Sequence, residues 1–184
     1  MTNVVAHAIV WTAVATVVAV AMDFWAAFLH GRVWHSWLWN VHRSHHEPRR
    51  EGDRFEANDA LSLLHAPIAV ALILYGCRGT PGVAREVAFG VGLGMSAFGI
   101  AYVVVHDGLV HERMPVTWLL RFRYFRAVVR AHRVHHSLAV GGVPYGFFFG
   151  RRELVRTARL KGSRRRNAQA PSPSGRRLPR QSRA

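Results

Sequence analysis

Residues 4–29 form an apolar run of 26 positions with one formally charged side chain, Asp23. At about 1.5 Å per residue, a helix of this length exceeds the ~30 Å hydrocarbon core of a bilayer. The run therefore predicts a transmembrane helix. A cleaved signal peptide is the competing interpretation. It is disfavoured because the first 22 residues contain no Lys or Arg and because the run continues past the usual signal length.

Two further apolar runs follow, at 60–76 and 87–105. The first is short for a membrane span and is interrupted by His65 and Pro67. A Gly- and Pro-containing turn separates the two runs and predicts a hairpin of antiparallel helices. The second run is uncharged and contains small residues that suit close helix packing in lipid: Gly90, Gly92, Gly94, Ser96, Ala97 and Gly99.

Charge in the connecting segments predicts the orientation, since short loops rich in Lys and Arg stay in the cytoplasm. Segment 30–59 carries five arginines and the chain after 106 is strongly basic, whereas the turn at 76–86 carries two. Three spans would place both basic segments on the cytoplasmic face. Residues 117–130 mix aromatic residues with arginines, which favours an interfacial helix. Whether residues 143–150 add a fourth element is left open.

The net charge of +15 is concentrated in residues 151–184, which hold 12 of the 25 Lys and Arg residues and one acid, Glu153. We predict a domain over 1–150, embedded in the membrane, and a basic, largely disordered tail over 151–184. Binding to anionic lipid suits the tail better than binding to nucleic acid, because 161–184 lacks aromatic residues. Cys77 is the only cysteine, which excludes disulfide frameworks and Cys-rich zinc sites.

Histidine is the most unusual component: there are 12 histidines against ten acidic residues. Ten of them form two copies of one pattern, HxxxxH followed by HxxHH, on either side of the predicted hairpin. The first copy spans 30–46 and the second spans 106–136. The ten residues are His30, His35, His42, His45, His46, His106, His111, His132, His135 and His136. Each group lies near the end of an apolar run, so the copies can converge at the membrane surface.

Helix geometry explains the HxxHH spacing, because positions i, i+3 and i+4 lie within about 100° on one helix face. Residues five apart are about 140° apart on an ideal α-helix. An HxxxxH pair can therefore serve one site only if the helix ends, bulges or bends between the two histidines. Gly31 and Gly108, just after His30 and His106, make such a break plausible.

Neutral imidazole is a ligand for Fe, Zn, Cu and Ni. Ten imidazoles exceed what one tetrahedral zinc ion needs, so the pattern predicts two metals. Nearby carboxylates are candidates for orienting the rings: Glu47, Asp59, Asp107 and Glu112. Glu47 and Asp107 could equally be surface or capping residues. The remaining histidines, His7 and His65, are interpreted as interfacial or hydrogen-bonded. The predicted fold class is thus an all-α membrane protein of three to four transmembrane helices with a cytoplasmic, histidine-rich di-metal cap.

Extended strings around the histidines resemble the bacterial β-carotene hydroxylases, within the membrane fatty acid hydroxylase and sterol desaturase superfamily. These strings are HRSHHEP (42–48), FEANDAL (55–61), VHDGLVHERMP (105–115) and AHRVHH (131–136). The resemblance covers roughly residues 20–150, and all ten histidines fall on the family's boxes. Departures lie at His65 and at VPYGFFFG (143–150), where relatives carry a Ser-Phe-Gly-Phe-type string.

The resemblance implies a non-haem di-iron monooxygenase that uses O2 and electrons from a reduced ferredoxin-type donor and its reductase. The implied reaction is hydroxylation of carotenoid β-ionone rings at C3, from β-carotene to β-cryptoxanthin and zeaxanthin, with substrate taken from the bilayer. It also implies a multi-pass protein of the inner membrane, with the histidine boxes and C-terminus on the cytoplasmic side. We expect contact with membrane lipid and none with nucleic acid.

Two alternatives stay open. A fatty-acyl or sterol hydroxylase or desaturase of the same superfamily would use the same metal chemistry. A membrane metal transporter is a more remote alternative, because a transporter should carry ionisable ligands near the middle of its spans. Here only His7, Asp23 and His65 are candidates for such positions.

Overall fold

The computed structural model describes residues 2–47, 55–80, 82–137 and 141–169, with side chains described over 4–160. Throughout these ranges the regular structure is helical. The α-helices are α1 Thr2–Leu29, α2 Trp39–His46, α3 Asp59–Leu63, α4 Ala66–Cys77, α5 Val83–Tyr102, α6 Arg123–His136 and α7 Gly150–Gln169. Two π-helical segments, His30–Trp34 and Val103–Val110, directly follow α1 and α5, and a short 3₁₀ turn covers Thr117–Arg121.

Three helical stretches among the described residues are long and apolar enough to cross a membrane: Val4–Trp34, Asp59–Cys77 and Val83–Val110. They coincide with the three predicted apolar runs, and the second span combines α3 with α4. Large apolar side chains such as Val17 and Ile100 are about two-thirds exposed, as expected for surfaces that face lipid. The prediction of an all-α membrane protein is confirmed.

Helix α5 packs between α1 and α4 because its glycines let the backbones approach closely. A Cβ atom added at Gly94 would lie 2.6 Å from the carbonyl oxygen of Ala15 in α1. One added at Gly92 would lie 2.8 Å from the carbonyl oxygen of Ala69 in α4. Alternate small residues of α5 therefore fit two different neighbours.

Beyond the spans, α6 packs against the π-helical segment that follows α5. A buried apolar cluster joins them, consisting of Val105, Leu109, Leu119, Val128, Val129 and Phe147. The same faces carry His106 on the π-helical segment and His132 on α6, both buried. Apolar packing therefore brings the second copy of the histidine pattern together.

Asp23 in α1 is the buried charge of the first span, 2% exposed. Its carboxylate accepts hydrogen bonds from the backbone N–H groups of Phe147, Phe148 and Phe149 at 3.3, 2.9 and 3.0 Å. Three donors satisfy this carboxylate, which would otherwise be costly to bury. They tie α1 to segment 143–149, which has no regular helical winding.

The described part of the predicted tail is helical. Helix α7 runs from Gly150 to Gln169, where the sequence analysis predicted a largely disordered segment from 151 onward. Glu153 on this helix accepts hydrogen bonds from the backbone N–H groups of Tyr145 and Gly146 at 3.0 and 3.1 Å, which fixes the start of α7. Residues 170–184 lie outside the described residues, and the division of the chain at 150 stays a prediction.

Candidate metal centre

The two HxxxxH pairs lie on the two π-helical segments. The N–H of His35 bonds the carbonyl of His30 at 3.0 Å, and the N–H of His111 bonds the carbonyl of His106 at 3.0 Å. This i to i+5 pattern widens the helix and brings residues five apart onto one face. The spacing required the helix to end, bulge or bend between the two histidines, and in both copies the break is a bulge.

The two HxxHH boxes occupy the last turns of α2 and α6. Both helices end directly after the final histidine, at Glu47 and Ser137. The three histidines of each box therefore share one end of a helix, close to the π-helical segments. His42 and His135 are almost completely buried, at 1% and 0% exposure.

Nine of the ten histidines form two groups whose candidate ligand atoms lie within 4.8 Å of one another. The first cluster consists of His30, His35, His42, His46 and His135, and the second of His45, His106, His111 and His132. The tenth, His136, directs its Nε2 to the Nε2 of His132 at 2.8 Å. We count it with the second cluster, which then also has five members.

Each cluster draws four histidines from one copy of the pattern and one from the other. The exchanged residue is the middle histidine of each HxxHH box, because His45 joins the second cluster and His135 the first. The spacing within one box would allow its three imidazoles to share a single centre. They do not share one, because the middle histidine belongs to the other cluster. The exchange links α2 and α6 and gives each cluster one ligand from the other copy of the pattern.

In the first cluster, three rings are oriented by oxygen acceptors. The Nδ1 atoms of His30, His42 and His135 lie 2.9 Å from the carbonyl of Tyr145, 2.7 Å from Asn58 Oδ1 and 2.5 Å from the carbonyl of Gly142. A neutral imidazole that donates from Nδ1 presents a lone pair at Nε2. The Nε2 atoms of His30 and His42 nevertheless lie 3.0 Å apart. Two lone pairs at this distance suit a shared cation.

In the second cluster, carboxylates orient two rings. His45 Nδ1 lies 3.2 Å from Glu56 Oε2, and His106 Nδ1 lies 2.8 Å from Asp107 Oδ1. The Nε2 of His45 is buried and has no hydrogen-bond partner among the residues that the structure describes. A buried polar atom of this kind needs a partner, and a metal ion bound by the cluster would supply one. The donor set therefore fits metal ions at both clusters.

Burial keeps the imidazoles neutral. It lowers the pKa of His35 and of His42 to about 4, because the charged form loses solvation. Burial also lowers the pKa of His135 to about 3, against the opposing effect of its bond to the Gly142 carbonyl. At neutral pH these rings are deprotonated, which is the form that binds metal.

An apolar cavity of about 420 Å³ reaches the two clusters from between α1, α4 and α5. Its volume lies within the range of about 300–1,000 Å³ that is usual for small-molecule sites. His30 of the first cluster and His132 of the second are among the residues that line it. The apolar wall includes Leu29, Ala69, Val70, Phe98, Val103 and Phe147. An apolar molecule in this cavity would therefore contact ligands of both clusters.

Comparison with protein-family models shows to which family the chain belongs. The model described as "Fatty acid hydroxylase" matches residues 15–152. This range contains the first span from residue 15 onward, the whole second and third spans, and all ten clustered histidines. The chain belongs to the fatty acid hydroxylase family. No solved structure matches the chain.

Curated relatives of this family member carry carotenoid names. "Beta-carotene 3-hydroxylase, chloroplastic" from Gentiana lutea is 48% identical over 143 residues, covering 78% of this chain and 44% of that protein. "Beta-carotene hydroxylase" from Pseudescherichia vulneris is 39% identical over 135 residues, covering 72% of this chain and 73% of that protein. The chain thus spans less than half the length of the Gentiana relative and about three-quarters of the bacterial one.

The four carboxylates predicted to orient rings have different positions. Asp107 bonds His106 as expected. Asp59 Oδ1 instead accepts a hydrogen bond from Arg113 Nη1 at 3.1 Å. Glu47 and Glu112 are exposed, where Glu47 pairs with Arg43 at 3.0 Å and Glu112 lies 4.0 Å from Arg133. The structure therefore places Glu47 and Glu112 in surface ion pairs.

Three ring partners, Glu56, Asn58 and Tyr145, were not predicted from the sequence. The first two lie in the FEANDAL string, which was used for the family resemblance without a role for its polar residues. A polar triplet beside a histidine box is a usable signal, because metal-bound imidazoles need partners for the second nitrogen. Tyr145 and Gly142 act through backbone carbonyls, which leave no signal in the residue type.

The two remaining histidines lie outside both clusters, as interpreted from the sequence. His7 Nδ1 lies 3.1 Å from Glu86 Oε1 in the neighbouring span. His65 Nε2 accepts a hydrogen bond from Trp25 Nε1 at 3.0 Å, and both of these residues line the cavity. They therefore form a polar contact within a mostly apolar wall.

Proposed function

We propose that this chain is a membrane di-iron monooxygenase that hydroxylates the β-ionone rings of carotenoids at C3, from β-carotene to β-cryptoxanthin and zeaxanthin. The observation that carries the proposal is an apolar cavity lined by one histidine from each of two five-membered clusters. The names of the relatives from Gentiana and Pseudescherichia support the same substrate class.

The cavity supports a long apolar substrate that enters from the bilayer. Most of its wall belongs to the membrane-spanning helices, and its polar lining is sparse. A ring held against His30 and His132 would be kept from water by residues such as Phe147 and Leu29. Positioning one C–H bond in a dry site is the main task of a protein that oxidises an unactivated carbon.

The ten histidines would hold two iron ions, which, when bound, would supply the activation of O2 that such a C–H bond requires. The protein orients the rings through Asn58, Glu56, Asp107 and the backbone of segment 142–145. We further propose that a reduced ferredoxin-type donor and its reductase provide the electrons. Mono-oxygenation balances with one C–H bond and O2 consumed, two electrons and two protons taken up, and an alcohol and water produced.

We propose an inner-membrane location with the histidine clusters and the C-terminus on the cytoplasmic side. The basic residues of 30–59 and of the chain after 106 support this orientation. Fusions at the C-terminus test it: green fluorescent protein should fluoresce there, and alkaline phosphatase should be inactive. The reverse result would contradict the orientation without affecting the proposed chemistry.

Expression in a bacterial host that accumulates β-carotene tests the reaction, with pigments separated and identified by mass. We expect β-cryptoxanthin and zeaxanthin with the wild-type chain and unchanged β-carotene with His135→Ala. His7→Ala is the matched control, since His7 pairs with Glu86 outside the clusters, and it should retain activity. Absence of hydroxylated rings, with the protein present in the membrane and iron-loaded, would refute the assignment.

A fatty-acyl or sterol hydroxylase or desaturase is the second candidate, favoured by the description of the matching family model. The same cultures discriminate between the two. Hydroxylated or desaturated acyl chains in extracted lipids, together with unchanged β-carotene, would favour this alternative. A sterol-containing host extends the comparison to sterols.

A further inference from the structure

Arg113 connects three carboxylates beside the second histidine cluster. Its side chain is 14% exposed, with Nη2 2.6 Å from Glu56 Oε1 and Nη1 3.1 Å from Asp59 Oδ1. Nη1 also lies 3.8 Å from Asp107 Oδ1. The guanidinium donates to Asp59 and pairs with Glu56, and an arginine side chain is not deprotonated in proteins. Arg113 therefore stays positively charged.

Two of these carboxylates hold rings of the second cluster. Glu56 uses one oxygen for Arg113 and the other for His45 Nδ1 at 3.2 Å. Asp107 Oδ1 receives His106 Nδ1 at 2.8 Å. Asp59 accepts the backbone N–H of Glu56 at 3.0 Å, which fixes Glu56 in turn. Arg113 thus acts on the histidines through the carboxylates that it binds.

The first cluster has a different set of ring partners. His30, His42 and His135 direct Nδ1 to two backbone carbonyls and the side-chain oxygen of Asn58, all of which are uncharged. The Glu153 carboxylate contacts the segment that carries two of these carbonyls, but it accepts the backbone N–H of Tyr145 and not that of a ring. The two clusters therefore have the same ligand type but differ in the charge behind the ligands.

The charge of the groups that accept the Nδ1 protons affects metal affinity. A carboxylate that accepts the Nδ1 proton makes the imidazole a stronger donor at Nε2 than a neutral acceptor does. Three carboxylates and one guanidinium also leave an excess of two negative charges beside the second cluster, which complements a divalent cation. Both effects favour a metal ion at the second cluster over one at the first.

We propose that the two metal sites are unequal, with the second cluster the tighter one, and that Arg113 is the positioning residue for its carboxylates. This inference rests on the proposed two-metal centre and adds that one of its two sites binds metal more tightly than the other. A shared environment would instead give two equivalent sites. The proposal concerns metal retention and can be measured without turnover.

Release of Fe(II) to a chromogenic chelator tests the proposal, using the full chain in detergent under anaerobic conditions. We expect wild-type protein to release about two irons per chain in two phases. His30→Ala should remove the fast phase and His106→Ala the slow phase, which assigns each phase to a cluster. A wild-type iron content far from two contradicts the di-iron centre itself, whereas two irons released in one phase overturns only the inequality.

Charge changes at matched positions then test the cause. Glu56→Gln keeps an acceptor for His45 but removes the charge, and should speed the slow phase about 10- to 100-fold, the usual effect of such a partner. Asn58→Asp places a carboxylate on His42 in the first cluster and should slow the fast phase. Equal effects of Glu56→Gln on both phases would overturn the proposal, because a general loss of structure affects both clusters.

The role of Arg113 is tested by a conservative pair. Arg113→Met should accelerate the slow phase about tenfold while the fast phase keeps its rate and its amplitude of about one iron. In Arg113→Lys the rate of the slow phase should return most of the way to its wild-type value. Lysine restores the positive charge, although it lacks the planar guanidinium. Loss of both phases in Arg113→Lys, or an unchanged slow phase in Arg113→Met, would contradict a positioning role.

Discussion

The Nε2 atoms of His30 and His42 lie 3.0 Å apart, although each ring directs its Nδ1 to an oxygen acceptor on another segment. Neither nitrogen has a proton left to donate in the neutral tautomer. The pair is thus unfavourable by itself and favourable around a cation. The arrangement couples the stability of this end of the protein to the metal.

Metal removal should therefore destabilise the protein. For metal present at about 100 times its Kd, binding contributes about 2.7 kcal/mol, which corresponds to a decrease in Tm of roughly 5–10 °C for a chain of this size. Thermal unfolding in detergent, with and without prior chelation, measures the difference. Chelation should lower the Tm of His42→Ala by less than it lowers the Tm of the wild type. An equal decrease in both proteins would contradict the coupling between bound metal and stability.

Replacement of Asp23 should disturb the first cluster from a distance. Asp23→Ala leaves three backbone N–H groups of Phe147, Phe148 and Phe149 without their acceptor, at about 1–3 kcal/mol for each buried donor. The neighbouring Tyr145 supplies the carbonyl that holds His30. We expect a lower Tm and less than two irons per chain by elemental analysis.

Asp23→Asn is the matched variant, since it keeps one acceptor oxygen of the same shape. It should fall between the wild type and Asp23→Ala in both Tm and iron content. An Asp23→Ala protein with wild-type Tm and metal content would show that the three hydrogen bonds do not hold the segment.

Close packing of α5 should make Gly94 intolerant of any side chain. Gly94→Ala places a Cβ 2.6 Å from the Ala15 carbonyl oxygen, and overpacking of this kind costs about 1–3 kcal/mol. Gly99→Ala on the same helix meets no atom within 4 Å and should unfold at or above the wild-type temperature. Equal Tm values for the two variants would contradict the close approach of α1 and α5.

The three spans and the breaks in helical winding were predictable from the sequence because both follow from local rules. Uninterrupted apolar length predicts a span. Two histidines five apart can share a site only if the helix ends, bulges or bends between them, and a bulge is found after both His30 and His106. The small residues of α5 likewise predicted close packing, which Gly92 and Gly94 now show. Such features depend on residues that are near one another in the chain.

The assignment of histidines to clusters was not predictable in this way. Whether His45 serves the first or second cluster depends on how α2 meets α6, a tertiary relationship that spacing within one box does not contain. The ring partners were unpredictable for the same reason, because they depend on tertiary contacts. Glu56 and Arg113 are far apart in the chain, and Tyr145 contributes a backbone carbonyl, which every residue has. The helical winding of 151–169 also differs from the disorder that composition favoured.

Deletion of residues 161–184 should leave hydroxylation intact, because the clusters and the cavity are built from residues before 150. The contact of α7 with the site lies at Glu153, which the truncated chain keeps. Pigment analysis at matched membrane abundance checks the prediction. A well-expressed truncated protein without activity would show that the basic tail takes part in catalysis or in binding the electron donor.

Narrowing the cavity should impair turnover without affecting the metals. Gly99 lines the cavity, and space lies open where its side chain would extend, so Gly99→Leu should take up room needed by a carotenoid ring. We expect the yield of hydroxylated product to fall at least tenfold while iron content and Tm stay at wild-type values. Ala97→Leu is the matched control, because Ala97 is exposed on the same helix and its enlargement should leave turnover unchanged. Equal activity of the two leucine variants would mean that the substrate reaches the histidine clusters by another route.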